Sequence, residues 1–133
     1  MERDLFEPLG IRDMLPGGTG FSAENLAWIG VVLANHGKYG NREVISEETY
    51  EAMVPTSLKP HFPALNMRYG IGLQDQARHL GPGSFGHFGG CGTLLIVNPR
   101  KHLVVAMVRN HRGERYDEHL SEVTEQLRTW IDE

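Results

Sequence analysis

GHFGGCGTLLIVNPRKHLVVAMVRN, residues 86–110, is the stretch on which the fold turns. Two apolar runs, TLLIVNP and HLVVAMVRN, flank Pro99-Arg100-Lys101. Short runs of aliphatic and β-branched residues bounded by turn formers are strands, and this spacing makes them an antiparallel hairpin. Neither run alternates apolar with polar residues, so both faces of the sheet are expected to be covered. Ahead of the hairpin, Gly86, Gly89, Gly90 and Gly92 surround His87 and Cys91. Glycines crowded beside a strand mark a place where something approaches the backbone.

Outward from the hairpin, the pattern becomes helical on both sides. Downstream, YDEHLSEVTEQLRTWIDE places Leu120, Val123, Leu127, Trp130 and Ile131 on one stripe, with Asp117 and Glu118 at the end where the helix dipole favours negative charge. Upstream, YGIGLQ (Tyr69 to Gln74) reads as a short strand with Tyr69, Ile71 and Leu73 on one face. Thr56 to Met67 reads as an irregular connection. Before it, Ser46 caps a short helix, EETYEAMV, which Pro55 ends. Ser22 caps a longer one, AENLAWIGVVLANHG, which carries Leu26, Ile29, Val32 and Leu33 at helical spacing and stops at Gly37. The turn-rich segment Phe6 to Gly20 reads as a loop. Helices, then strands, then a helix predict an α+β fold: an antiparallel sheet flanked by helices.

The bulk properties exclude several classes. The chain has 133 residues, 40% apolar and 23% charged, the size and composition of one folded domain. A net charge of -4 without a basic stripe argues against nucleic acid as a partner. No apolar run is long enough for a membrane span. The single cysteine excludes an internal disulfide framework and a cysteine-rich metal site. The N-terminus, MERDLFEPLG, is charged where a signal peptide is apolar. As written the chain is cytoplasmic, and periplasmic if a leader has been lost.

Four chemical readings of the central stretch can be weighed. A phosphate loop needs Lys-Ser/Thr opening a helix, whereas Gly92-Thr93 opens a strand with no lysine before Lys101. Cys91 as a nucleophile needs a base, and His87, four residues back on a strand, lies too far along the same face; a small apolar strand residue is the simpler reading. The seven histidines form no HxxxH pair and read as exposed loop residues. Neither a metal nor a cofactor is expected. The carboxylates cluster on helix starts and on the last helix, as a solvated face does.

Five segments, in order, resemble the C-terminal part of the serine β-lactamase-like family: FEPLGIRDM, GGTGFSAENLAWIG, VISEETYEAMV, YGIGL and GHFGGCGTLLIVNPRKHLVVAMVRN. That family includes class C β-lactamases, penicillin-binding carboxypeptidases and related esterases. The likeness covers nearly the whole chain and implies one partial β-lactamase/transpeptidase-like domain over residues 1–133. The most specific piece is His-x-Gly-Gly-x-x-Gly-Thr feeding a hairpin with Asn-Pro at its turn. In the family, Lys-Thr-Gly or His-x-Gly begins the strand that edges the catalytic cleft; here it is His87-Phe88-Gly89. The resemblance implies a substrate-binding wall of His87, Phe88, Gly89 and Gly90. The Gly90 N–H would be one oxyanion donor, and His87 would hydrogen-bond a substrate carboxylate or the leaving group. The implied ligand is a small ester or amide, β-lactam and peptidoglycan-type compounds included.

The family's nucleophile is the serine of Ser-x-x-Lys, whose spacing puts hydroxyl and amine on one helix face. The residues three places after Ser22, Ser46, Ser57, Ser84 and Ser121 are Asn25, Thr49, Pro60, His87 and Thr124, so the motif is absent. Tyr39-Gly40-Asn41 spells the family's Tyr-x-Asn, but its place between two helices reads as a turn. Only Leu15 and Pro16 stand between PLGIRDM and GGTGF, where the family carries a long segment that helps form the cleft. The expectation is the last part of a serine hydrolase without its catalytic serine, inactive alone; the alternative is a stand-alone, non-catalytic binding or assembly module. The last helix alone cannot hide Val104, Val105, Met107 and Val108. Each large apolar side chain left wet forgoes roughly 1.5–3 kcal/mol, so self-association, or pairing with the missing N-terminal part, is expected.

Overall fold

The computed structural model of the chain describes residues 2–12 and 22–132. The expected loop at Phe6 to Gly20 therefore falls partly outside the described residues, as do GGTGF and Leu15-Pro16. What is described of that loop is ordered by its apolar residues. A π-helical turn, Glu2–Phe6, runs into a 3-10 turn, Glu7–Leu9. Phe6, Leu9 and Ile11 are buried against Val32. Apolar residues in turn-rich sequence have docked, where a solvated loop was expected.

Helix α1 is Ala23–Ala34, and Ser22 accepts from the Asn25 amide at 3.0 Å as its N-cap. Strands β1 (Lys38–Tyr39) and β2 (Arg42–Glu43) form a small hairpin, so Tyr39-Gly40-Asn41 is a turn, as expected. Helix α2 is Glu47–Met53, capped by Ser46 accepting from the Thr49 amide at 3.3 Å. Six strands then form one antiparallel meander in sequence order: β3 (Thr56–Ser57), β4 (Arg68–Tyr69), β5 (Gln74–Asp75), β6 (Phe85–Phe88), β7 (Leu94–Asn98) and β8 (Leu103–Met107). A short helix α3, Ala77–Leu80, follows β5, and α4, Tyr116–Asp132, closes the chain.

The β7–β8 hairpin is as the sequence predicts, with Ile96 opposite Val105 and a 3-10 turn at Pro99–Lys101. Its period-two geometry explains the unbroken apolar run. Leu95 and Val97, with Val104 and Ala106 opposite, pack on α1, while Leu94 and Ile96, with Met107 and Val105 opposite, pack on α4 and Leu80. The molecule is therefore layered helix, sheet, helix. The burden expected of the C-terminal helix is shared, because α1 takes Val104 and Ala106. Strand β7 is buried throughout, whereas β8, the edge, is only half-buried along its length.

Three expectations are corrected. Tyr69 to Gln74 is no single strand: Tyr69 pairs with Gln74 across a tight turn in which Gly70 N donates to Leu73 O at 2.9 Å. The alternation of Tyr69, Ile71 and Leu73 is accidental, Leu73 being buried and Ile71 exposed. Thr56-Ser57, within the expected irregular connection, pairs with β4. On α4 the buried residues are Tyr116, Leu120 and Thr124, with Leu127 half-buried behind them, while Val123 and Trp130 are 53% and 68% exposed. Thr124 can lie inward because its hydroxyl donates to the Leu120 carbonyl at 2.9 Å, which satisfies the buried oxygen.

Candidate functional site

Strand β6 brings His87 and Phe88 to its end and then turns. The pair was expected at the start of the strand that edges the cleft; it stands at the end of β6, an inner strand of the sheet. The pairing nevertheless opens an edge there. Strand β5 pairs only with Phe85 and Gly86, whereas β7 continues alongside His87 and Phe88. From His87 onward the β5 side of β6 is unpaired. His87 lies opposite Leu95, on the α1 face, and is exposed; Phe88 lies opposite Leu94, on the α4 face, half-buried beside Leu80 and Leu94. The two side chains expected to form one wall thus point to opposite faces, as neighbours on a strand must.

Gly89 to Gly92 form the turn into β7. The Gly92 amide donates to Gly89 O at 3.0 Å, and the Gly89 amide donates to Thr93 O at 2.7 Å. Gly90 sits at the exposed tip, and its N–H has no backbone partner among the described residues. The turn is pinned by Thr93, whose hydroxyl accepts from the Arg109 amide and donates to the Arg109 carbonyl, both at 3.2 Å.

The glycines divide into two kinds. Gly86 and Gly92 are required by the fold. A Cβ at Gly86 would overlap the Leu95 carbonyl oxygen, and one at Gly92, where φ is +89°, would lie 2.9 Å from the Tyr116 ring. Gly89 and Gly90 are not. A Cβ at Gly89 would make ordinary contact with Thr93, at 3.6 Å, and one at Gly90 would meet open space, neither residue having a positive φ.

Cys91 is exposed in this turn, not a small apolar strand residue, so its relation to His87 is not that of strand neighbours. Its sulfur lies 3.4 Å from the Thr93 hydroxyl. Hydrogen bonding with the Thr93 side chain, then with its backbone, holds the thiol below its ordinary pKa. No group of ligating side chains that could hold a metal occurs among the described residues. His79, expected as an exposed loop histidine, is a half-buried residue of α3 whose ring packs on Phe88 at a 43° tilt, centroids 5.4 Å apart. Burial, then the charges of Arg78 and Arg128, hold its pKa below 6.5. No pattern in the sequence signals this cluster, because α3 is one turn long and Gln76 supplies no side-chain cap.

The serines have structural tasks. Ser22 and Ser46 cap helices, Ser57 accepts from the Lys59 amide, and buried Ser84 accepts from Asn98 Nδ2 at 2.9 Å. Ser121 lies exposed on α4.

Comparison with known proteins bears on this arrangement. A β-lactamase family model matches residues 1–127. A family VIII carboxylesterase of known structure aligns with a TM-score of 0.50 and 24% identity, over 77% of this chain and 30% of that one. The likeness to the esterase is one of fold, and the chain spans less than a third of its length. No curated protein matches. No helix among the described residues is long and apolar enough to cross a membrane.

Proposed function

The chain belongs to the β-lactamase family, and from that premise we propose that it is the C-terminal segment of a serine hydrolase acting on esters or amides. Residues 1–133 are then a single partial domain, and β-lactam or peptidoglycan-type compounds fall within the substrate class. His87, Gly89 and Gly90 make the substrate-facing wall, and Phe88 anchors it from the opposite face of the sheet. The Gly90 N–H is an oxyanion donor, a role worth on the order of 3 kcal/mol in a complete site. His87 hydrogen-bonds a substrate carboxylate or the leaving group.

The observation that carries this reading is the pair Gly89-Gly90. The fold demands neither glycine, yet both stand where β6 loses its outer neighbour and where an amide is left without a backbone partner. A bare backbone there lets a carbonyl carbon approach closely. The five serines include none with lysine three residues on, so the nucleophile is supplied from outside this chain, and the isolated chain turns nothing over. An NMR titration of the labelled chain with a short acetylated peptide carrying a free carboxylate tests the wall. Saturable shifts are expected at the His87 ring and the Gly90 amide. Shifts scattered over other surfaces, or none, would refute it.

The second reading, a non-catalytic assembly module, is favoured by a different observation. Strand β8 is an unpaired edge, and between it and α4 lies an apolar pocket of about 280 Å³ lined by Leu94, Met107 and Val123 among others. Such an edge invites pairing with another copy or with the complementary part of the domain.

A further inference from the structure

A groove of about 720 Å³ opens on the α4 face, between α3 and α4, with Phe88 and Leu120 in its apolar wall. Two arginines that line it each bond to one residue, His79. Arg78 Nε donates to His79 Nε2 at 2.9 Å, and Arg128 Nε donates to the His79 carbonyl at 2.7 Å. Each arginine is anchored through Nε, which leaves its terminal nitrogens to a ligand. Neither has a carboxylate partner among the described residues. Two guanidiniums lining one groove without a carboxylate partner favour an anion there. Of the carboxylates in the wall, Asp117 is taken by Arg112 at 2.6 Å, and Glu125 pairs with neither Arg78 nor Arg128. Tyr116 also lines the groove, and its buried hydroxyl has no partner among the described residues.

We propose that this groove binds a small organic anion, its carboxylate or phosphate clasped by Arg78 and Arg128 beside His79 and its apolar part laid on Phe88. A planar fork suits both anionic groups, and two forks lining one groove, from α3 and from α4, suit them better than one. Glu125 works against the ligand, so its removal tightens binding. The site shares Phe88 and Gly89 with the wall described above, but its charged groups lie between α3 and α4, on the face of the sheet away from His87, and it does not depend on the hydrolase reading.

The test is a titration of the full 133-residue chain with benzoate and with phenyl phosphate at constant ionic strength, read by NMR at the His79 ring. Saturation by at least one probe is expected, and the one that saturates at lower concentration identifies the anionic group. Arg78→Gln, at an exposed position, should weaken binding about tenfold or more, and Glu125→Gln should strengthen it. Absence of saturation by both probes at about 10 mM, or unchanged affinity in folded Arg78→Gln, would overturn the proposal.

Discussion

A methyl group at Gly86 would overlap the Leu95 carbonyl, whereas one at Gly90 would stand in open space. Gly86→Ala is therefore expected to cost about 2 kcal/mol or more by forcing β6 and β7 apart. Gly90→Ala should change stability by no more than about 0.5 kcal/mol. Chemical denaturation of the two variants measures both, and comparable losses would remove the distinction on which the wall reading rests. At this scale the sequence was half legible. The density of glycines around His87 was visible, as was its place beside a strand. Which glycines the backbone needs was not, because that depends on the Leu95 carbonyl and the Tyr116 ring, both brought up by pairing and packing. Cys91 was misread for the same reason. Nothing local to GGCGT says that the strand begins only at Leu94.

The elements are tied together by a few polar pins as well as by apolar layers. Asn98, wholly buried at the end of β7, donates through Nδ2 to Ser84 Oγ and to the Leu80 carbonyl, and its Oδ1 accepts from the Lys101 amide. Asn98→Ala strands these partners, and a loss of about 2–3 kcal/mol is expected by denaturant unfolding. A loss near zero would mean that water replaces the amide. Helix α3 carries the other pin. His79 binds its proton less readily in the fold than the ordinary 6.5, because burial and then Arg78 and Arg128 disfavour the cation. The unfolded chain therefore takes up a proton first as pH falls. Stability contributed by neutral His79 is full above about 6.5 and is lost as pH drops below it. Unfolding midpoints compared across that window should fall toward acid in the wild type and fall less in His79→Gln. Equal slopes would contradict the assignment. The longer elements were readable without a strong period: α1 from its Ser22 cap and its stop at Gly37, and the β7–β8 hairpin from two unbroken apolar runs around Pro99-Arg100-Lys101. The α4 stripe was misplaced because Thr124 turns inward on a hydrogen bond to its own helix, a choice that hydropathy does not record. The two-residue strands and α3 are too short to leave a period.

At the scale of the whole molecule, the sheet is covered on both faces at its β7–β8 end, and among the described residues its two edges are β3 and β8. Strand β8 is half-buried where β7 is fully so, and Trp130 on α4 is 68% exposed. Wet apolar surface beside an unpaired edge favours association. Sedimentation at micromolar concentration is expected to show a dimer or larger species, and a well-behaved monomer would contradict that expectation. The α+β class and the covered sheet could be read from the sequence; the second covering layer, α1, could not be assigned to a face without the register.

The account as a whole rests on a hydrolase wall standing without a nucleophile. Intact-mass measurement after incubation with a labelled penicillin and with an activated ester tests it most directly. The chain, carrying Cys91→Ala to remove the exposed thiol without adding a hydroxyl, is expected to carry no acyl group and to release no product. A stoichiometric acyl-serine adduct, formed in a burst, would show that the chain holds its own nucleophile and would contradict the account.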